Sequence, residues 1–266
     1  MHNLPLVFFT VLAQAAAGLS LALCAIRLVS PKSATQYFIK GYIVTLMLLS
    51  VAGIASFGHL GRPMRVLNVL LGIKHGSPLS IEIIGVIMFG TCTVLALLST
   101  LLPQRKWVTP ASMLPAASGM IFVYVISNVY NLETVDAWHT VLTPLQFFVT
   151  ALMLGFVAAW GLQPVEKKQQ KTATLGIGIA LAALIVIQPL MFMSYGELSS
   201  NALEDFIPPF PAARFIILAL AVVLLFWAMR KGSAHRMLSY GIFGLLLISE
   251  LLGRAYFYDL LNLRLL

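Results

Sequence analysis

The chain has 266 residues, of which 60% are hydrophobic and only 10% are charged, and its formal net charge at pH 7 is +8. A soluble domain is nearer to half apolar and a quarter charged, so this composition excludes an ordinary water-soluble protein. The positive charge does not indicate that the protein binds nucleic acid. The Lys and Arg residues are distributed as expected for an oriented membrane protein, as described below.

Eight apolar runs follow one another along the chain, each close to the length of about 20 residues with which a helix crosses a bilayer. Membrane-spanning backbone has to satisfy its own hydrogen bonds, and unbroken runs of this length do so as α-helices. Little sequence remains outside them, so we predict one all-α transmembrane domain over 1–266. The predicted spans are roughly residues 5–27, 36–58, 80–102, 108–129, 140–162, 173–195, 212–230 and 236–258.

The charged residues predict that both termini lie outside the cytoplasm. No Lys or Arg precedes Arg27, so the first run does not resemble a cleaved signal peptide and is expected to remain as a helix. In that orientation eleven of the seventeen Lys and Arg residues fall on the cytoplasmic side, as the positive-inside rule requires. Residues 167–171 then form a polar cytoplasmic turn. The connection 59–79 is an exception, because it is predicted outside and carries three cations.

In chain order, the unusual polar residues gather where the predicted helices meet the outer surface. His59 follows the second run and Glu82 begins the third, while Glu250 and Arg254 are placed in the last turns of the eighth. An ionisable residue at the edge of a span is a functional-site hypothesis by default. The arrangement predicts one polar pocket on the outer face, suited to an amphiphilic ligand, with no polar path through the midplane.

Each of these residues also has a purely structural interpretation. His59 can stabilise the C-terminal end of its helix, and Glu82 the N-terminal end of the next. Glu250 and Arg254 are spaced i,i+4, so an ion pair on one helix face is their first explanation. Arg65 can be an interfacial anchor. The combination is more specific than any of its members.

Histidine and cysteine positions indicate that the chain holds none of the common redox cofactors. A membrane haem needs axial histidines within helices, and no histidine lies in the interior of a predicted span. Cys24 and Cys92 are too few for an iron–sulfur cluster. We therefore expect no haem, no cluster and no metal site, so that any redox chemistry would pass its electrons directly to another subunit.

Four sequence blocks are shared with a known family. They are His59-Leu60-Gly61-Arg62-Pro63-Met64-Arg65 with Asn68; Glu82 after Leu79-Ser80; Val129-Tyr130-Asn131 with Trp138 and Thr143-Pro144; and Glu250-Leu251-Leu252-Gly253-Arg254 with Phe257-Tyr258. The chain resembles the DmsC-type membrane anchor subunit of bacterial dimethyl-sulfoxide reductases in these blocks, in the spacing between them and in the number of its spans, which is eight. The resemblance covers most of the chain.

The resemblance implies a multi-pass protein of the bacterial inner membrane that binds menaquinol from the quinone pool. It also implies two partners, an iron–sulfur electron-transfer subunit and a molybdopterin catalytic subunit, and it implies no haem in the anchor itself. The family's quinol-site histidine and glutamate match His59 and Glu82. Arg62 stands where a relative has serine, which argues against Arg62 as a ligand.

These residues suggest a mechanism of quinol oxidation. His59, which titrates near neutral pH, is expected to accept the first proton and Glu82 the second. Arg65, Glu250 and Arg254 are expected to bind the headgroup or to tune the acids.

Three alternatives stay open from the sequence. The chain can be a purely structural anchor, or the anchor of a related molybdoenzyme that reduces another S- or N-oxide or selenate. A proton-coupled secondary transporter is less favoured, because broken helices and midplane charges are typical of that class.

Overall fold

The computed structural model of the chain describes residues 4–31, 35–57, 77–102, 105–132, 135, 138–199, 210–230 and 236–259. Within these ranges all regular structure is helical, and eight α-helices are long and apolar enough to cross a membrane. The predicted all-α fold with eight spans is confirmed. The helices are α1 (Leu4–Val29), α2 (Thr35–Phe57), α3 (Pro78–Leu101), α4 (Val108–Val129), α5 (Leu142–Gly161), α6 (Lys167–Ser199), α7 (Phe210–Arg230) and α8 (Arg236–Asp259).

Most helix boundaries lie within a few residues of the predicted spans, and α6 is the exception. It begins at Lys167, six residues before the predicted span, so the prediction of a polar turn at 167–171 is wrong. Lys and Gln are good helix formers, and Lys167 and Lys168 expose their side chains, so the helix continues beyond its apolar run.

The first helix, α1, lies at the centre of the bundle. Every residue from Phe9 to Ser20 is buried, and α1 contacts α2, α4, α5, α6 and α8. A helix that is apolar all round can be enclosed in this way, because no face of it needs water. By contrast α3 packs on α2 and α4, and α7 packs chiefly on α8, so both lie toward the outside.

Two glycines allow α1 and α5 to approach each other closely. A Cβ atom at Gly18 would overlap the backbone of Ala151, and a Cβ atom at Gly155 would overlap the backbone of Gly18. Small residues at such crossings bring helix backbones together, which strengthens van der Waals packing inside a membrane.

The helices alternate in direction, so α1, α3, α5 and α7 begin at the end of the bundle where α2, α4, α6 and α8 finish. We call this the N-terminal end. Hydrogen bonds at both ends agree with the alternation: Trp138, before α5, donates to the carbonyl of Phe257 near the end of α8. At the opposite end Tyr37, near the start of α2, donates to the carbonyl of Ala159 near the end of α5. Which side of the membrane the N-terminal end faces stays a prediction.

Candidate functional site

The structure describes three of the five predicted site residues. Glu82, Glu250 and Arg254 are all buried, with relative exposures of 7%, 3% and 2%. His59 and Arg65 lie outside the described residues. Charged side chains inside a membrane protein are rare and pair with one another or with polar groups, so the contacts of these three show what each can do.

Glu82 is the fifth residue of α3, at the N-terminal end of the bundle. The helix begins at Pro78, whose fixed φ suits the first helical position. The Oε1 atom of Glu82 is buried and has no hydrogen-bond partner among the described residues. Burying a polar atom without a partner is costly, so this oxygen is available to a ligand or to another part of the chain.

Two tyrosines accompany Glu82. Tyr130 directly follows α4, Tyr258 lies at the end of α8, and both interact electrostatically with the Glu82 carboxyl group. Their rings lie 5.2 Å apart, edge to face. Burial raises the pKa of Tyr130 well above its usual value, and the neighbouring Tyr258 and Glu82 raise that pKa further. The Tyr130 hydroxyl therefore stays protonated at physiological pH and keeps a hydrogen to donate.

Tyr130 and Tyr258 belong to an aromatic cluster. It consists of Tyr130, Trp138, Phe147, Phe257 and Tyr258. Trp138 and Phe257 are stacked with ring centroids 4.9 Å apart, and Tyr130 and Phe147 are stacked at 6.0 Å. The Trp138 indole N–H donates to the Phe257 carbonyl at 2.9 Å, which fixes the α4–α5 connection to α8.

Arg254 lies against this aromatic cluster. Its guanidinium carbon is 3.6 Å from the centroid of the Phe147 ring, and its Nη2 donates to Oε1 of Gln14 on α1 at 3.3 Å. Arg254 also interacts electrostatically with Tyr130 and Tyr258. A cation over an aromatic face is attracted by the ring, more strongly when it is desolvated, so the cluster holds a positive charge close to the tyrosine hydroxyls.

The contacts of Glu250 differ from those that the sequence predicts. The Thr150 hydroxyl donates to its Oε2 at 2.6 Å, and Arg214 of α7 lies 3.5 Å from its Oε1. The predicted i,i+4 ion pair with Arg254 is therefore wrong. Glu250 stands nine residues before Asp259 in a 24-residue helix, which is about 13 Å from the end of the helix.

The Arg214 guanidinium is held against the backbone of α8. A Cβ atom at Gly253 would overlap the guanidinium, so a larger residue there would displace the end of the Arg214 side chain. Ser249 donates to the Arg214 carbonyl at 3.2 Å. These contacts and the ion pair with Glu250 attach α7 to α8 through charged and polar groups inside the membrane.

A narrow cleft lies beside this ion pair, between α5, α6, α7 and α8. Gln146, Gln188, Arg214 and Tyr256 contribute polar groups to its wall. Its volume is about 20 Å³. That is enough for roughly one water molecule and too little for an aromatic ring.

Sequence reasoning places Arg214 among the polar residues of the outer face, but it did not single out Gln14 or Thr150 as parts of the site, nor Arg214 as the partner of Glu250. A signal for Gln14 was present, because it is an isolated amide in an apolar run, and such residues commonly hydrogen-bond between membrane helices. In the described part of the chain, no three His, Cys, Asp or Glu side chains are grouped as metal ligands would be.

Comparison with known proteins points to one family. The family model described as DMSO reductase anchor subunit (DmsC) matches residues 1–260. The sequence is 30% identical to an anaerobic dimethyl sulfoxide reductase subunit of Haemophilus influenzae, over 98% of this protein and 95% of the relative. It is 33% identical to the subunit of the same name in Escherichia coli K12 and 31% identical to YnfH, another anaerobic dimethyl sulfoxide reductase subunit of that organism, each over 97% of this protein and 95% of the relative. No solved structure matches the sequence significantly.

Proposed function

The chain belongs to the DMSO reductase anchor subunit (DmsC) family, and from this premise we propose that it oxidises menaquinol and passes the electrons to an iron–sulfur subunit. As a family member it is a multi-pass anchor of a dimethyl sulfoxide reductase complex in the bacterial inner membrane. Because the chain belongs to this family, the alternative of a proton-coupled secondary transporter is dropped.

The observation that carries the proposal is the buried Oε1 of Glu82, which lacks a partner among the described residues. It lies near the Tyr130 and Tyr258 hydroxyls and the aromatic cluster. A quinol headgroup is a flat aromatic ring with hydroxyl groups. Glu82 can accept a hydrogen bond from such a hydroxyl, and the aromatic side chains offer apolar surface to the ring.

The proposed reaction breaks both quinol O–H bonds. One proton passes to His59 and the other to Glu82, and the ring loses two electrons as the quinone forms. The electrons leave to an iron–sulfur centre of the partner subunit and from there to the molybdopterin subunit. Both acceptors then release their protons to solvent, so that the site returns to its starting state.

Arg65, Arg254 and Glu250 have different roles in this proposal. Arg254 supports the deprotonation, because a buried cation near the ring oxygen stabilises the negative charge left when a proton departs. Arg65 follows His59 in the same sequence block and is assigned to the headgroup with it. Both carboxylate oxygens of Glu250 are engaged, by Thr150 and by Arg214, so we assign Glu250 to holding the helices together.

Glu82→Gln and His59→Ala test the proposal in membranes that contain the assembled complex. We expect each substitution to lower menaquinol-dependent dimethyl sulfoxide reduction by about 100-fold or more, because removing a positioned proton acceptor has effects of that size. Reduction driven by an artificial dye that donates directly to the catalytic subunits should be unchanged. Glu166→Gln, in the exposed connection before α6, is the matched control and should keep full quinol activity.

A fluorescent quinol analogue separates this function from purely structural anchoring. The wild-type complex should quench its fluorescence on binding, and His59→Ala should abolish the quenching. Full quinol activity in both His59→Ala and Glu82→Gln would contradict the proposal and leave the chain a structural anchor.

A further inference from the structure

We propose that Tyr258 is a further quinol-binding residue, which donates a hydrogen bond from its hydroxyl to the headgroup oxygen that Glu82 deprotonates, with the Gln14 amide as a second donor. The inference rests on the proposed quinol oxidation and deepens it. It identifies the part of the site that recognises the lone pairs of the substrate oxygen.

Three buried polar atoms from three helices carry the inference. They are Oε1 of Glu82 on α3, the hydroxyl of Tyr258 on α8 and Nε2 of Gln14 on α1, and none forms a hydrogen bond of good geometry with a described residue. All three side chains are at least nine-tenths buried. Thr10 and Tyr130 lie close enough to share a hydrogen bond with the Tyr258 oxygen as acceptor, which leaves the hydrogen of the Tyr258 hydroxyl for another acceptor.

Interactions among these residues and Arg254 connect the three side chains. Tyr258 interacts electrostatically with both Glu82 and Arg254. Arg254, which lies over the Phe147 ring of the aromatic cluster, in turn donates to the Oε1 of Gln14 at 3.3 Å. Buried polar atoms of native proteins usually have a partner, and a bound headgroup would supply one to each of these three atoms.

The three atoms are complementary to a phenolic hydroxyl. A quinol oxygen donates one hydrogen and accepts through its lone pairs, so it needs one acceptor and one or two donors. Glu82 supplies the acceptor, while Tyr258 and Gln14 supply the donors. When the quinol becomes a quinone the oxygen loses its hydrogen and can only accept, so the two donors retain the product oxygen, whereas Glu82 can donate to it only until it releases the proton it has taken up.

Tyr258→Phe in the assembled complex tests the inference, because it removes the hydroxyl and keeps the ring in the aromatic cluster. With menadiol, a soluble naphthoquinol, as the donor we expect KM to rise about threefold to tenfold, which corresponds to one lost hydrogen bond. Because Tyr258 binds the oxygen before and after oxidation, kcat should change little. Dye-driven activity should be unchanged, as should the kinetics of Tyr240→Phe, an exposed tyrosine on the same helix.

Each outcome of this experiment supports or overturns the inference. An unchanged KM in Tyr258→Phe overturns it. If the substitution lowers the amount of complex, the fluorescent quinol analogue is titrated per assembled complex, and an affinity equal to that of the wild type overturns it as well. Glu82→Gln is measured in parallel: quinol activity retained there refutes the proposed function, whereas activity lost there with normal Tyr258→Phe kinetics refutes only this inference.

Discussion

Glu250 and Arg254 are four residues apart on α8, yet their side chains contact different helices. Glu250 contacts Thr150 and Arg214 on α5 and α7, and Arg254 contacts Gln14 and Phe147 on α1 and α5. The i,i+4 rule describes neighbours on an isolated helix surface. In the packed bundle each side chain has partners on adjacent helices, and Arg214 would lack its counter-charge if Glu250 paired along its own helix.

The charged residues of the site were predictable one by one but their partners were not. Glu82 and Glu250 stand out because acids are rare in apolar runs. Arg214 could not be assigned to Glu250, because that contact depends on how α7 packs against α8 and on the space left by Gly253. Tyr258 stands in one of the shared sequence blocks, but its residue type alone did not indicate a site, since tyrosines at the ends of spans commonly mark the membrane interface.

Arg214→Met should destabilise the bundle by about 3–5 kcal/mol, because Glu250 is then buried without its counter-charge. The double variant Arg214→Met with Glu250→Met should recover most of this loss, because no lone charge remains. Thermal unfolding of the detergent-solubilised complex measures both effects, and Arg230→Met, at the exposed far end of α7, is the control. A double variant as unstable as the sum of the single variants would contradict the pairing.

At the scale of helices, apolar runs located every described span, because about 20 apolar residues in sequence have one stable arrangement in a bilayer. The extension of α6 to Lys167 was missed since polar helix formers continue a helix in water without any apolar signal. Which helices are central and which are peripheral was equally unpredictable from the sequence. That α1 is central and α3 and α7 peripheral follows from helix–helix contacts between residues far apart in sequence.

Gly155→Ala should weaken the contact between α1 and α5. The added methyl group would overlap the backbone of Gly18, and overpacking of this kind destabilises by about 1–3 kcal/mol. Gly178→Ala on α6 is the matched control, because nothing lies within 4 Å of its added Cβ atom, and alanine is the better helix former. The thermal unfolding temperature should therefore fall for Gly155→Ala and stay level or rise for Gly178→Ala. Equal shifts for both would argue against close packing at Gly155.

At the scale of the whole molecule, the eight described helices put the start of α1 and the end of α8 on one side of the membrane, and the charge distribution predicts that this side is outside. Val141, before α5, and Val165, before α6, lie at opposite ends of the bundle and are 76% and 77% exposed. A membrane-impermeant maleimide applied to spheroplasts should label Val141→Cys, whereas Val165→Cys should react only after permeabilisation. The parent protein, whose cysteines are Cys24 and Cys92, is the control and should stay unlabelled. The reverse labelling pattern would invert the topology.

The Arg214–Glu250 contact also has a consequence for biogenesis. A charged residue near the middle of a single span adds about 2.5–3.5 kcal/mol to its insertion free energy, and α8, the least apolar of the described spans, carries Glu250 and Arg254. Since α7 supplies the cation that Glu250 contacts, the two helices are more easily transferred from the translocon to lipid as a hairpin than one after the other. Synthesis of the protein is then coupled to its insertion, because α7 has to remain near the lateral gate until α8 has been translated.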